Sequence, residues 1–265
     1  MDSESGTASK LHPGRSRTAA GPTRILLLGG TGEAVEIATV LAAVSDVVVI
    51  SSMAGRVSQP RLPVGGVRVG GFGGVAGLTS YLVEEHIGVV IDATHPFASR
   101  MSRNAELACQ DAGVPLIPME RPPWKPGERD RWLTVPDFEA ASALVNNHAS
   151  RVFLSIGRQE LGAFSGCYKA WFLVRAIERP DELPPNSKLL LDRGPFHLED
   201  ELQMLRQESI NLLVSKNSGG QATYPKIQAA SELGIPVVMV DRPAKHTVPT
   251  VASPADVLLK LAELL

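Results

Sequence analysis

From residue 23 onward, short apolar runs alternate with amphipathic stretches. The runs at 25–28 and 47–50 are continuous, apolar and short, as in strands buried on both faces of a parallel sheet. Between them Ala34, Val35, Ile37, Ala38, Leu41 and Ala42 recur at helical spacing, which predicts a helix over 31–43. The rhythm continues with strands at 67–69, 89–91 and 114–117. A helix is expected from the glycine cluster at 70–74 to about His86, and another over 98–111 with Gly113 as its stop. This βαβα order predicts an open parallel sheet wound on both faces.

Pro118, Pro122, Pro123, Pro126 and Pro136, with Trp124 and Trp132, mark 118–136 as a packed crossover. Beyond it the alternation restarts. Strands are expected at 152–156, 171–174, 189–191, 212–215 and 237–240, and helices at 159–164, 198–209 and 224–233. A terminal helix at 254–264 has Ser253 as N-cap and Pro254 in its first position. The expectation is therefore an α/β protein with two Rossmann-like parallel-sheet domains and an interdomain cleft. The expected division is a first domain at 23–136 and a second at 137–265. Residues 1–22 are rich in Ser, Gly, Thr, Ala and Pro and lack an apolar h-region, so they read as a disordered extension rather than a signal peptide.

Charge narrows the function classes. With 26 basic and 28 acidic side chains the net charge is −2, which gives no electrostatic case for nucleic acid or an anionic membrane. No apolar run approaches the roughly 20 residues that span a bilayer. Only Cys109 and Cys167 are present, without C-x-x-C or a Cys/His cluster. That composition argues against a disulfide framework and a metal site, and it suits a reducing cytoplasm.

The candidate chemistry starts at Gly29-Gly30-Thr31-Gly32, where the first strand stops and a helix follows. Glycines there let a pyrophosphate approach backbone N–H groups at a helix N-terminus. Gly30 and Gly32 fit G-x-G, while Val35 stands where the full fingerprint has Gly or Ala. A site selecting NAD carries an acid at the end of the second strand, on the ribose 2′-hydroxyl. Here that end reads Ser51-Ser52-Met53-Ala54-Gly55-Arg56, with two hydroxyls and a guanidinium but no carboxylate, and Asp46 sits at the wrong end of the strand. Ser51, Ser52 and Arg56 therefore favour the 2′-phosphate of NADP. Gly71, Phe72 and Gly73 lie in a loop that either lets a ligand approach closely or is simply a surface turn. No P-loop, G-x-S-x-G elbow or H-E-x-x-H is present.

Several motifs coincide in order: LLLGGTGEA at 26–34, SSMAGR at 51–56, GGFGG at 70–74, IDATHPFA at 91–98, IGRQEL at 156–161, SKNSGG at 215–220 and TYPKIQAASELGIPVVMVDRP at 223–243. Together they resemble the precorrin-6A reductase family of cobalamin biosynthesis, over nearly all of residues 24–243. The resemblance implies an enzyme that uses NADPH to reduce one double bond of the precorrin-6A macrocycle, giving precorrin-6B. It implies nucleotide contacts at Gly30, Thr31, Ser52 and Arg56, a substrate cleft between the domains, and transient contact with other enzymes of the pathway. A closely similar reductase acts on the cobalt-containing substrate, and the residues do not separate the two. A macrocycle with peripheral carboxylates needs dispersed donors. Candidates are Arg100, Arg103, Arg121, Lys216, Asn217, Ser218 and Lys226, with Tyr224 opening the helix at 224–233. Residues 215–220 could present an anion-binding nest. Thr94, His95, Pro96 and Phe97 would wall the space for hydride transfer. His95 is a candidate proton donor, or it only hydrogen-bonds its own loop. Two other readings are a short-chain reductase or epimerase and a non-catalytic NADP-sensing module. The first needs Tyr-x-x-x-Lys, and Tyr224-Pro225-Lys226 has the wrong spacing.

Overall fold

The computed structural model describes residues 21–55, 64–147 and 151–265. Of the extension expected at 1–22, residues 1–20 lie outside the described residues, as does Arg56. The first half runs β1 (Thr23–Leu28), α1 (Gly32–Leu41), β2 (Val47–Met53), β3 (Gly66–Val69), α2 (Gly74–Glu84), β4 (Ile87–Asp92), α3 (Ser99–Ala112) and β5 (Leu116–Pro118). These five strands form one parallel sheet in the order β3-β2-β1-β4-β5. Alternate residues of β1 explain why its run is apolar throughout. Ile25 and Leu27 pack with Ile37 and Ala38 of α1 on one face, while Leu26 and Leu28 pack with Leu78 and Leu82 of α2 on the other.

The second half contains β6 (Trp132–Val135), α4 (Phe138–Asn146), β7 (Arg151–Ser155), β8 (Trp171–Ala176), β9 (Ser187–Leu191), α5 (Leu198–Gln207), β10 (Leu212–Lys216), α6 (Pro225–Glu232), β11 (Val237–Val240) and α7 (Pro254–Ala262). Its sheet is also parallel throughout, in the order β6-β11-β10-β7-β8-β9. The short helix expected at 159–164 is a 3-10 helix, Arg158–Phe164. Two elements were not expected from the sequence. One is β6, embedded in the proline-rich crossover. The other is α4 (FEAASALVN), whose N-cap, Asp137, accepts the Ala140 N–H at 2.8 Å.

The two halves exchange their ends. The chain leaves the first sheet after β5, and β6 then pairs with β11 at the edge of the second sheet. On its return, Val251 bridges Met119 beside β5, and Val257 and Leu261 of α7 enter the core that holds Ile37 and Ala38. The expected boundary at 136/137 therefore separates β6 from its sheet and assigns α7 to the wrong half, because edge pairing and burial, not chain order, fix both. Among the described residues no helix is long and apolar enough to cross a membrane, and no cluster of His, Cys, Asp or Glu could hold a metal. Both cysteines are free and buried.

Candidate functional site

Strand order reverses between β1 and β4 in one sheet and between β7 and β10 in the other, and such crevices at the carboxyl ends are where open sheets take ligands. The two crevices meet. Phe97, five residues after β4, has its ring 6.3 Å from Phe138 at the start of α4. The Lys216 ammonium, at the end of β10, lies 5.2 Å from the Phe97 ring and 2.9 Å from Glu160 Oε1.

On the first sheet, Gly29 donates its N–H to Ser52 O at 3.0 Å, which ties the glycine turn to the end of β2. Gly30 has φ +109°, a conformation that favours glycine, and the space where Cβ atoms of Gly30 and Gly32 would stand is open. Thr31 caps α1: its hydroxyl accepts the Ala34 N–H at 3.2 Å and donates to Ala93 O at 2.8 Å. A recess of about 60 Å³ opens between the strand ends, lined by Gly29, Ser52, Gly70, Gly71, Phe72 and Thr94 among others. Gly73 caps α2 in the left-handed region. Ser51 is buried, and its Oγ has no partner among the described residues. The glycine-lined edge of this recess fits the close approach of a dinucleotide. Glu33, in the first turn of α1, would oppose a pyrophosphate there, but Arg121 neutralises it at 2.6 Å.

His95 and Phe97 share a tight loop. The Phe97 N–H donates to His95 Nδ1 at 3.2 Å, so the ring proton sits on Nε2. Burial, then the charges of Arg121, Lys216, Lys245 and Arg242, hold His95 well below the ordinary imidazole range. The ring is neutral at physiological pH. Pro96 is buried beside it.

Under this loop lies a network that motif reading did not find. Asp92 Oδ1 accepts the Thr94 N–H and hydroxyl at 2.9 and 2.6 Å. Lys245 donates to Thr94 O at 3.1 Å and stands 3.8 Å from Asp92, with both side chains fully buried. His246 Nδ1 lies 3.1 Å from Glu106, which also accepts the N–H and hydroxyl of Thr247. Lys245 and His246 follow the last strand of the second sheet, so only the return crossing brings them to β4. The one sequence signal is a Lys-His pair just beyond the VDRP block.

The donors expected for substrate separate into groups. Lys216 reaches the facing edges. Arg100 and Arg103 are exposed on α3. Arg121 is a clasp: besides Glu33 it donates through Nε to Ser218 O at 2.6 Å, joining the two halves. Asn217 is buried, accepting the Trp124 N–H at 2.8 Å and donating to Trp124 O at 3.1 Å. The expected nest at 215–220 does not form as such. The Asn217 and Ser218 N–H groups bond Val240 O and Lys216 O, while the Asn217 carbonyl accepts from Arg242 at 2.7 Å. A Cβ on Gly219 would stand 2.1 Å from Pro122 O, so the block is a seat for the crossover. Tyr224 packs against Trp124 at 5.7 Å. Lys226 is 3% exposed, donates to Thr223 O at 2.9 Å and faces the Trp124 ring. Its burial, partly offset by Glu201, pushes the amine down to about 7.

Comparison with known proteins agrees with this architecture. The family model described as precorrin-6x reductase CbiJ/CobK matches residues 24–262. A precorrin-6A reductase of Rhodococcus erythropolis is 48% identical over 235 residues, covering 87% of this chain and 95% of its own. A Mycobacterium tuberculosis protein of the same name is 48% identical over 223 residues, covering 83% and 89%. A solved structure titled CobK precorrin-6A reductase superposes with a TM-score of 0.87 at 42% identity, over 91% of this chain and 97% of that one.

Proposed function

The chain belongs to the CbiJ/CobK family of precorrin-6x reductases, and from that premise we propose that it reduces one double bond of precorrin-6A with NADPH, giving the dihydro product precorrin-6B. The observation that carries this reading is the meeting of two sheet edges. One is glycine-lined and free of acid, and the other carries aromatic rings and cations. The relatives named above carry the name of the metal-free substrate at 48% identity, which favours it over the cobalt-containing one. A purely sensing module would have no use for the second edge.

When bound, the dinucleotide supplies a hydride. The residues of the chain bind, orient and exclude water. Gly30, Thr31 and Gly32 present the α1 N-terminus to the pyrophosphate, with Arg121 cancelling Glu33. Ser52 faces the ribose at the end of β2, and Gly70, Gly71 and Phe72 close the recess beside it. Thr94, pinned at its N–H, hydroxyl and carbonyl, fixes the loop His95-Pro96-Phe97 between cofactor and macrocycle. Lys216, Arg100 and Arg103 offer charge to peripheral carboxylates. His95 is neutral and a poor acid at pH 7, so solvent water delivers the proton to the neighbouring carbon.

The test is oxidation of NADPH by the purified protein with precorrin-6A, beside NADH and beside the cobalt-containing substrate. Turnover with NADPH and the metal-free substrate is expected. No turnover with intact substrate overturns the reading.

A further inference from the structure

Arg68 belongs to none of the motifs above, yet it stands at the edge where a nucleotide would lie. In the parallel register Leu28 is beside Ser52 and Ser52 beside Arg68, so the three side chains share one face at the carboxyl ends of β1, β2 and β3. The Arg68 guanidinium is held in place. It donates to Gly70 O at 2.6 Å and to Gly71 O at 2.8 Å, and its Cζ lies 3.8 Å from the Phe72 ring centre. Gly70, Gly71, Phe72 and Ser52 all line the recess.

Its charge is not compensated. Four cations where the two halves meet hold a carboxylate: Arg121 has Glu33, Lys216 has Glu160, Arg242 has Glu120 and Lys245 has Asp92. Among the described residues no carboxylate pairs with Arg68, and its remaining N–H donors lack protein partners. A planar cation oriented by an aromatic face and two carbonyls, with donors in reserve, matches a phosphate. The end of the second strand is where the ribose 2′-position lies in a dinucleotide fold.

We propose that Arg68 carries the 2′-phosphate of NADP(H) and so sets the cofactor preference. This rests on the dinucleotide reading above. The two can fail separately in one experiment, titration calorimetry of adenosine 2′,5′-bisphosphate and of 5′-AMP. Wild-type protein should prefer the bisphosphate. Arg68→Gln should weaken the bisphosphate by about tenfold or more and leave 5′-AMP unchanged, since one charge-assisted contact is lost. Arg68→Lys, which keeps a charge over Phe72, should recover part of the loss and serves if the Gln variant does not fold. Wild-type preference retained in both variants overturns the assignment of Arg68, as does a loss that follows Arg56→Ala alone. Equal affinity of the wild type for both ligands overturns the NADP reading itself.

Discussion

Burial disfavours the charged forms of Lys226 and His95, and each therefore makes stability depend on pH. The Lys226 amine is pushed down to about 7, chiefly by burial, while in the unfolded chain it titrates near 10.5. Between those values the unfolded chain binds a proton that the folded one has released, so this group makes stability rise with pH across the window. Below about 7 the ammonium is charged in both states and the folded state carries its full desolvation cost. Lys226→Met should accordingly gain most against wild type below pH 7 and progressively less toward pH 10, by urea denaturation at several pH values. A gain independent of pH would mean that the amine is charged throughout. His95 works the same way at lower pH: as pH falls below the ordinary imidazole range the unfolded chain takes up a proton that the folded one does not, and stability falls. Because it is already neutral at pH 7, His95→Asn should retain turnover within about tenfold, below the 10²–10⁴-fold loss of a general acid. A larger fall in kcat would restore His95 as the proton donor. The sequence shows Lys226 one residue after Pro225 and so suggests a first-turn donor. It cannot show Trp124 closing over the amine, because that contact spans 102 positions.

At the scale of elements, the SKNSGG block shows what a motif hides. Its residues read as an anion nest because glycines follow a strand and precede a helix. In the fold the space above them is filled by the crossover, with Pro122 O facing Gly219 and the Asn217 amide bonded to both backbone groups of Trp124. Gly219 also has φ +71°, so Gly219→Ala combines left-handed strain with a clash against backbone. A loss of about 2–4 kcal/mol is expected, within the range of strained or overpacked sites. Thermal unfolding of the variant checks this, and a change under 1 kcal/mol would show that the crossover yields. The strands read from sequence include β1 and β10, whose apolar runs at 25–28 and 212–214 are buried on both faces. Strand β6 escaped because an edge strand needs little apolar character, and WLTV lies among prolines. Helix α4 escaped because it follows directly on the proline-rich crossover; its clearest sequence signal is the Asp137 cap.

For the whole molecule, the exchanged ends turn two sheets into one cooperative body. Strand β6 closes the second sheet at β11, and the Val251 bridge with α7 closes the first beside β5. Removing α7 would expose the face formed by Ile37, Ala38 and Met119, and removing β6 would leave β11 as an open edge. The buried Lys245–Asp92 contact makes the same link electrostatically, because it places a cation from the return crossing under the loop that walls the site. Lys245→Met would leave the Asp92 carboxylate buried without its ammonium partner, with only the His246 ring 3.5 Å away, at a cost of about 3–5 kcal/mol. That loss should shift the single unfolding transition of the entire protein rather than open a separate one, since β4 and the return crossing come from opposite ends of the exchange. Asp92→Asn in the Lys245→Met background should recover part of the loss, because the uncompensated charge is then gone. Urea denaturation followed by both tryptophan fluorescence and circular dichroism distinguishes the outcomes. Tryptophans sit only on the crossover and in the second half, at Trp124, Trp132 and Trp171, so coincident curves report unfolding of both halves together. Two separated transitions, with only the circular dichroism signal moving early in Lys245→Met, would show that the halves fold independently and that the exchange of ends is not what holds the site's two edges together.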